Sequence, residues 1–175
     1  MTRRLTLASA ALIVLVACGG GRQPDGTMDV SWTGADTTQY RAQAVALWCK
    51  QDGWLEITGL MGDTGVGVVV YPTDSILAGD YAVHDPADSL GQGAAVAIRW
   101  FGENAVYALQ SRTGSVSLAE DTVGALSGTF EAQVVSTMRP ETLAVAGTVQ
   151  RVAVTAGDTD CAGTLPEPPA DTSVD

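Results

Sequence analysis

The stretch LSGTFEAQV, residues 126–134, decides the fold class because its side chains alternate between two kinds. Leucine, glycine, phenylalanine, alanine and valine take every second position, and polar residues lie between them. Successive side chains of a β-strand point to opposite faces, so this period predicts a strand with one buried face. Residues 143–149, LAVAGTV, repeat the pattern, and Val152 and Val154 then follow in the opposite phase. The slip at residues 150–151 predicts a β-bulge.

The same period of two extends over most of the central chain. A strand at residues 95–100 turns at 102–104 into a strand over 106–110, whose even-numbered side chains share one face. Residues 40–48 suit either a strand or a short helix that starts at a capping box. About eight to ten short antiparallel strands predict an all-β sandwich or barrel. Further strands are predicted at residues 44–49, 54–60, 65–71, 80–84 and 114–118, with turns at 51–53, 62–63, 72–74 and 121–122.

The chain opens with a different pattern, two arginines followed by an apolar stretch at residues 5–17. These are the charged and apolar regions of a secretory signal. At ~1.5 Å per residue the stretch spans about 20 Å, which is short of the roughly 30 Å hydrocarbon core. The sequence LVAC at residues 15–18, followed by three glycines, resembles the lipobox of bacterial lipoproteins. The resemblance implies a cleaved signal peptide at 1–17 and a covalent lipid on Cys18.

The lipobox also predicts the location and the domain organisation. Gly19 stands after Cys18 where lipoproteins retained in the inner membrane carry aspartate, so the resemblance favours a lipid anchor in the outer membrane of the cell envelope. Residues 18–37 are expected to form a flexible tether, and residues 38–163 the all-β domain. Residues 164–175, with three prolines and three acids, are expected to form a disordered tail.

The charge and the cysteines restrict the partners. Residues 1–17 hold two of the nine basic residues and no acid, so seven basic and twenty acidic residues remain and the mature charge is −13. Such a chain is repelled by nucleic acid, and no nucleic-acid partner is expected. With Cys18 lipidated, Cys49 and Cys161 form an even pair in an oxidising compartment, and we expect a disulfide worth roughly 4.7 kcal/mol. Zinc binding by two lone cysteines is a weaker alternative.

Asp63-Thr64-Gly65 is the sharpest catalytic string, because it resembles the active-site triplet of aspartic proteases. In that family two such aspartates share a proton, and the retroviral type takes one from each subunit. The alternative is a hairpin loop in which Gly62 and Gly65 supply turn conformations. Gly62 before the triplet and Val66 after it depart from the family pattern, so we expect the hairpin loop.

The remaining polar residues predict neither a catalytic nor a metal site. His84 is the only histidine, and Asp85 beside it would point to the opposite face of a strand. A calcium site is conceivable where aspartates crowd, but their spacing fits no EF-hand. Core packing is expected for Trp48 and Trp100, whereas Trp32 lies in the expected tether. These aspartates are Asp74, Asp80, Asp85 and Asp88. For Asp158 and Asp160, too, no metal site is expected.

Two further resemblances are local. Residues 124–131, GALSGTFE, resemble a strand of the avidin family of biotin-binding barrels, over about eight residues and without that family's later tryptophans. The pair LSGTF and AGTV, at residues 126–130 and 146–149, resembles the closing hairpin of uncharacterised β-sandwich lipoproteins. No activity follows from either resemblance.

These observations predict a lipid-anchored envelope protein whose β domain is non-catalytic and has a binding or structural role. The membrane, reached through the lipid, is an expected partner, and the sequence does not identify a protein or small-molecule partner. The lipid on Cys18 is the one expected bound group. A barrel that holds a small apolar ligand in its mouth is the first alternative. A retroviral-type aspartic protease that uses Asp63 is the second.

Overall fold

Nine β-strands and no helix make up the part of the chain that the structure describes. The computed structural model describes residues 26–34, 37–73, 77–88, 91–102 and 104–157. Within these ranges no helix is long and apolar enough to span a membrane. The predicted all-β fold is therefore confirmed. The strands are β1 (Thr27–Thr33), β2 (Thr37–Cys49), β3 (Trp54–Met61), β4 (Thr64–Tyr71), β5 (Gly79–Val83), β6 (Gly93–Phe101), β7 (Val106–Glu120), β8 (Ala125–Ser136) and β9 (Thr142–Gly157).

The strands close into a barrel in the order β1-β2-β3-β4-β6-β5-β7-β8-β9, so the barrel is the correct one of the two predicted architectures. Most neighbours are antiparallel, as predicted, whereas β2–β9 and β5–β6 are parallel. Both parallel pairs arise at short strands: β9 runs past the start of β1 to reach β2, and β5 lies between β6 and β7. Eight strands therefore surround the core at each end, a width that side chains just fill.

The barrel interior is filled by the residues that the period of two predicts to face inwards. In β8, Leu126, Phe130 and Val134 have at most 2% of their surface exposed. Because each fully buried aliphatic or aromatic side chain contributes about 1.5–3 kcal/mol, this interior is the main source of stability. The largest fully buried side chains are Met28, Leu55, Ile57, Val66, Val68, Val70, Val96, Ile98, Leu109, Val116, Leu126 and Val134.

The β-bulge predicted at residues 150–151 is confirmed. Leu126 pairs with Val152 and Gly128 with Val149, so β9 has one residue more than β8 in this interval. Arg151 takes up the extra residue with a φ of 52°. Its backbone N–H donates to the Ser127 hydroxyl at 2.9 Å, which replaces the bond that the ladder loses there.

The expected tether was too long, because residues 27–33 form β1. This strand pairs with β2 on one side and with β9 on the other. Its sequence TMDVSWT alternates like the other strands, and Met28 and Val30 are buried in the core. The helix alternative for residues 40–48 was also wrong, since they lie within β2. The short strand β1 would not be stable alone, and β2 and β9 supply the hydrogen-bond partners for its backbone.

The prediction for the region of β7 was wrong in one respect. The strands expected at 106–110 and 114–118 form one strand with a register shift between Ser111 and Thr113. The inward side chain of its first half is Leu109, which is 1% exposed, whereas Val106 is 49% exposed. The bulge reverses the phase, so that Val116 also faces inwards.

Ser111 lies where β6 and β7 separate to admit β5. Its hydroxyl accepts a hydrogen bond from the Val96 N–H at 3.0 Å and donates one to the His84 carbonyl at 2.8 Å. Among the described residues Ser111 is the one fully buried polar side chain. One hydroxyl thus supplies the backbone partners that a strand ladder would otherwise provide.

The predicted turn at 121–122 is stabilised by its first residue. The Asp121 carboxylate accepts hydrogen bonds from the backbone N–H groups of Val123 and Ala125, both at 2.9 Å. Hydrogen bonds from Ala125 and then Val123 lower the pKa of Asp121 below its ordinary value.

Several predictions fall outside the described residues. These are the signal peptide at 1–17, the lipid site Cys18, the second disulfide half Cys161 and the tail at 164–175.

Candidate functional site

A groove of about 350 Å³ lies on the outer wall of the barrel, over β3, β4 and β6. Its floor consists of residues that face outwards between the core residues of these strands. Gly67 pairs with Thr58 of β3 on one side and with Ala97 of β6 on the other. The next pairs along the sheet are Leu60 with Gly65 and Val69 with Ala95. We call this feature the outer groove; its floor is Gly65, Gly67, Val69, Ala95 and Ala97.

The groove is concave because its floor carries little side-chain volume. A Cβ atom placed on Gly67 would meet no atom within 4 Å, so the space above this residue is open. A Cβ on Gly65 would lie 2.9 Å from Leu60 Cδ2, which shows that Leu60 leans over the floor. Neither glycine has a positive φ. The two glycines therefore make the floor recessed through their lack of a side chain, and neither is required by the backbone conformation.

Large apolar side chains line the groove at one end and remain exposed. Leu60 at the end of β3 is 71% exposed, and Phe101 at the end of β6 is 63% exposed. Tyr71 and Pro86 line the other end. Exposed side chains of this size beside a recessed apolar floor form a surface whose burial against another molecule is favourable.

Three charged side chains line the outer groove. Arg99 lies next to Gly65 in the ladder, Glu56 lies next to Val69, and Asp63 lies in the β3–β4 turn. Within the described ranges Arg99 has no ion pair. Its exposed guanidinium is therefore available to an anionic group.

The pKa of Tyr71 is shifted by its surroundings at the opposite end of the groove. Burial raises the pKa of Tyr71 above its ordinary value, and the negative charge of Glu56 raises it further. Trp54 packs against the Tyr71 ring edge to face, with centroids 5.6 Å apart. The Trp54 indole N–H is buried and has no hydrogen-bond partner among the described residues. An acceptor is needed there, because an unpaired buried donor is costly.

The triplet Asp63-Thr64-Gly65 lies in the β3–β4 hairpin. Met61 pairs with Thr64, so the turn has two central residues, Gly62 and Asp63. Gly62 has a φ of 58° at the first central position, which is the preference of a type II′ turn. The Asp63 carbonyl accepts from the Phe101 N–H at 2.9 Å. The expected hairpin loop is confirmed, although Gly65 lies in the strand and not in the turn.

His84 and Asp85 have structural contacts. The His84 carbonyl is bound to Ser111, and the Asp85 carboxylate forms an ion pair with Arg112 and accepts the Ala87 N–H at 3.0 Å. Across the described ranges no group of three or more potential ligands is arranged for a metal ion. The Arg112–Asp85 pair was missed from the sequence, since only the bulge turns Arg112 towards β5.

The tryptophans pack as the sequence predicts, with one exception. Trp48 and Trp100 are partly buried against the core, as expected. Trp32 also packs there, with its ring centroid 6.0 Å from that of Tyr40, because it belongs to β1 and not to a tether. Trp100 stacks on Tyr107 at 5.3 Å.

Cys49 ends β2 next to the last residue of β9. It is 1% exposed. Its register partner in β9 is Gly157. The two other cysteines of the chain lie outside the described ranges, so the pairing of Cys49 with Cys161 stays a prediction.

The outer groove was missed from the sequence although a signal for it exists. Gly65 and Gly67 alternate with buried valines in β4, and Ala95 and Ala97 alternate with buried residues in β6. The outward phase of both strands is thus small or apolar where other strands carry polar residues. Without strand order, the sequence does not reveal that β4 and β6 are neighbours.

Comparisons with known proteins were made for the whole chain. No protein-family model matches it, and neither a curated protein nor a solved structure matches it.

Proposed function

We propose that this chain is a lipid-anchored protein of the bacterial cell envelope whose barrel binds an extended, mainly apolar segment of a partner in the outer groove. The observation that carries the binding role is the recessed floor of glycine and alanine beside exposed Leu60 and Phe101. A floor without large side chains lets another chain approach the sheet closely. The filled interior favours a ligand on the wall over one in the barrel mouth.

A fluorescent apolar probe, anilinonaphthalene sulfonate, tests the groove. Gly67→Leu places a side chain in the open space and should weaken probe binding about tenfold, which corresponds to about 1.4 kcal/mol. Ser117→Leu is the matched control, since Ser117 is an exposed strand residue outside the groove. Equal probe affinity for the wild type and Gly67→Leu would contradict the proposal.

The anchor is the second part of the proposal. It is supported by the lipobox at residues 15–18 and by the short apolar stretch before it. Gly19 supports the outer membrane. Labelled palmitate should be incorporated into the wild type and not into Cys18→Ser, and equal labelling of both would end this part of the proposal.

The third part is a disulfide between Cys49 and Cys161. Its support is the burial of Cys49 and the register of Cys49 with Gly157, only four residues before Cys161. A disulfide places the two Cα atoms roughly 4.4–6.8 Å apart. Four residues after Gly157 are enough for the chain to bring the Cα atom of Cys161 within this distance of that of Cys49. Mass spectrometry of a non-reduced digest should show this cross-linked pair, and a Cys18–Cys49 pair would contradict both the bridge and the lipid.

We further propose that the protein acts without catalysis and without a cofactor other than the lipid. The position of Asp63 in a two-residue hairpin turn supports this in preference to a protease. A retroviral-type mechanism requires two copies of Asp63 to face each other. Inhibition of a proteolytic activity by Asp63→Asn would contradict the proposal.

A further inference from the structure

The geometry points to a second use of the outer groove: we propose that the C-terminal segment, residues 164–175, lies in the groove of its own barrel and competes there with an external ligand. The segment reads TLPEPPADTSVD. This inference rests on the proposed binding role of the groove, and it adds the first occupant and a means of regulation.

The described chain ends beside the groove. Gly157 at the end of β9 pairs with Cys49, which pairs in turn with Trp54. Trp54 contacts Tyr71, and Tyr71 lines the groove. Residues after Gly157 therefore start from the Tyr71 end. Along this path lies the buried Trp54 N–H, which has no acceptor among the described residues.

The segment is long enough to follow the groove. Along β4 the floor runs from Tyr71 to Gly65, six residues or about 20 Å at ~3.3 Å per residue. Twelve residues in the polyproline conformation extend about 37 Å at ~3.1 Å per residue. Six residues, 158–163, connect the end of β9 to the segment.

The composition of the segment suits this surface. Every backbone group of β4 faces a partner in β3 or β6, so the groove offers no free sheet edge for an added strand. A proline-rich chain needs none, because it docks through its rings on aromatic-lined grooves. Three prolines and Leu165 supply apolar groups, and Tyr71 and Phe101 line the two ends of the groove.

One charge in the groove, that of Arg99, is opposite in sign to the segment, whereas Glu56 and Asp63, which also line the groove, carry the same sign as the segment. Residues 158–175 contain five acids and no basic residue. Arg99 is an exposed cation in the groove without an ion pair among the described residues. Glu167 lies in the middle of the proline cluster, and its carboxylate is the natural partner for this guanidinium.

Nitrogen-15 relaxation of the exported chain, made without lipid as Cys18→Ser, tests the docking. In this chain the heteronuclear NOE of Leu165 and Glu167 should match that of the barrel strands. Gly67→Leu fills the floor and should lower both values to those of a free chain, whereas Ser117→Leu should leave them unchanged. Arg99→Glu should lower the docked fraction a few-fold, and Arg99→Glu with Glu167→Arg should restore it.

The outcomes separate the two proposals. Free-chain values for Leu165 and Glu167 without any variant would overturn the docking, and so would values that Gly67→Leu does not change. Either result leaves the binding role intact if Gly67→Leu still weakens the fluorescent probe. If the wild type binds no probe while the segment is docked, the segment occupies the groove permanently, and its proposed competition with an external ligand is overturned.

Discussion

Two walls of the same barrel share one core and differ in what they show to the outside. The groove wall, the outward face of β3, β4 and β6, carries glycine, alanine and valine on its floor, with exposed Leu60 and Phe101 beside the floor. The three charged side chains that line it are those of Glu56, Asp63 and Arg99. The polar wall, the outward face of β8, β9, β1 and the start of β2, carries charged, amide and hydroxyl side chains. Those side chains are Asp29, Ser31, Gln39, Arg41, Thr129, Glu131, Gln133 and Thr148.

The comparison separates two roles of glycine. On the polar-wall side Gly147 faces the interior, and a Cβ there would lie 2.3 Å from the Phe130 ring. On the groove wall Gly67 faces open space. The first glycine is required for packing, whereas the second costs stability, since glycine within a strand is unfavourable by roughly 0.5–1 kcal/mol relative to alanine. A residue that costs stability without a packing reason indicates function.

Gly147→Ala should produce the largest effect. The new methyl group would overlap the Phe130 ring and approach the Asp29 carbonyl at 3.0 Å. Overpacking of this kind destabilises by about 3 kcal/mol at the upper end of its usual range. Urea denaturation measures the loss in the free energy of unfolding.

Gly67→Ala is the matched variant on the other wall. It should raise the free energy of unfolding by about 0.5–1 kcal/mol, because alanine loses less conformational freedom on folding. Equal destabilisation by both substitutions would remove the distinction between the walls.

Ser111→Ala should have the next largest effect, since it removes the hydroxyl at the border of the groove wall. The Val96 N–H and the His84 carbonyl would lose their partner in a fully buried site. Unpaired buried groups cost about 1–3 kcal/mol. Thermal unfolding measures the change, and Ser115→Ala, at an exposed position of the same strand, serves as control. An effect no larger than that of the control would mean that the point where β6 and β7 separate does not depend on the Ser111 hydroxyl.

Most of the fold could be predicted from the period of two, and the errors have specific causes. The bulge at Arg151 was predicted because two valines changed phase after it. The bulge at Arg112 was not predicted, because the serine, threonine and glycine around it show no alternation of apolar and polar side chains. β1 was missed because neighbouring glycine and proline suggested a tether, although TMDVSWT alternates. Barrel closure was left open because it depends on how strands of different lengths meet.

The candidate site was less predictable than the fold. Asp63 could be placed in a turn because Gly62 precedes it and few residues separate two apolar runs. The groove could not be predicted, because it requires three outward rows to lie side by side. The order β3-β4-β6 depends on β5 leaving that position, and the sequence carries no local signal for this.

Glu56→Gln should sharpen the electrostatic side of the comparison. Loss of the negative charge should lower the pKa of Tyr71 but leave it above the ordinary value, because burial is the larger cause and remains. Ultraviolet difference titration measures the change, and Tyr71→Phe identifies which transition belongs to Tyr71. Glu131→Gln on the polar wall should leave the pKa of Tyr71 unchanged. A shift of the same size in both variants would indicate a general charge effect.

The smallest effect is expected for the ion pair on the polar wall. Arg41 Nε lies 3.2 Å from Asp29 Oδ1, and 71% of the Arg41 side chain is exposed. Exposed pairs of this kind contribute about 0.2–1 kcal/mol, because water screens them and both side chains lose freedom. A double-mutant cycle with Arg41→Ala and Asp29→Ala should give a coupling in this range, and added salt should reduce it.

This last measurement decides what the polar wall is for. If the coupling is small and falls with salt, the charges of that wall keep it solvated, and only the groove wall remains to be covered. A coupling well above about 1 kcal/mol is stronger than exposed ion pairs give. If such a coupling also persists in salt, the pair behaves as a buried one. The polar wall would then also lie under a partner, and the functional difference between the two walls would no longer hold.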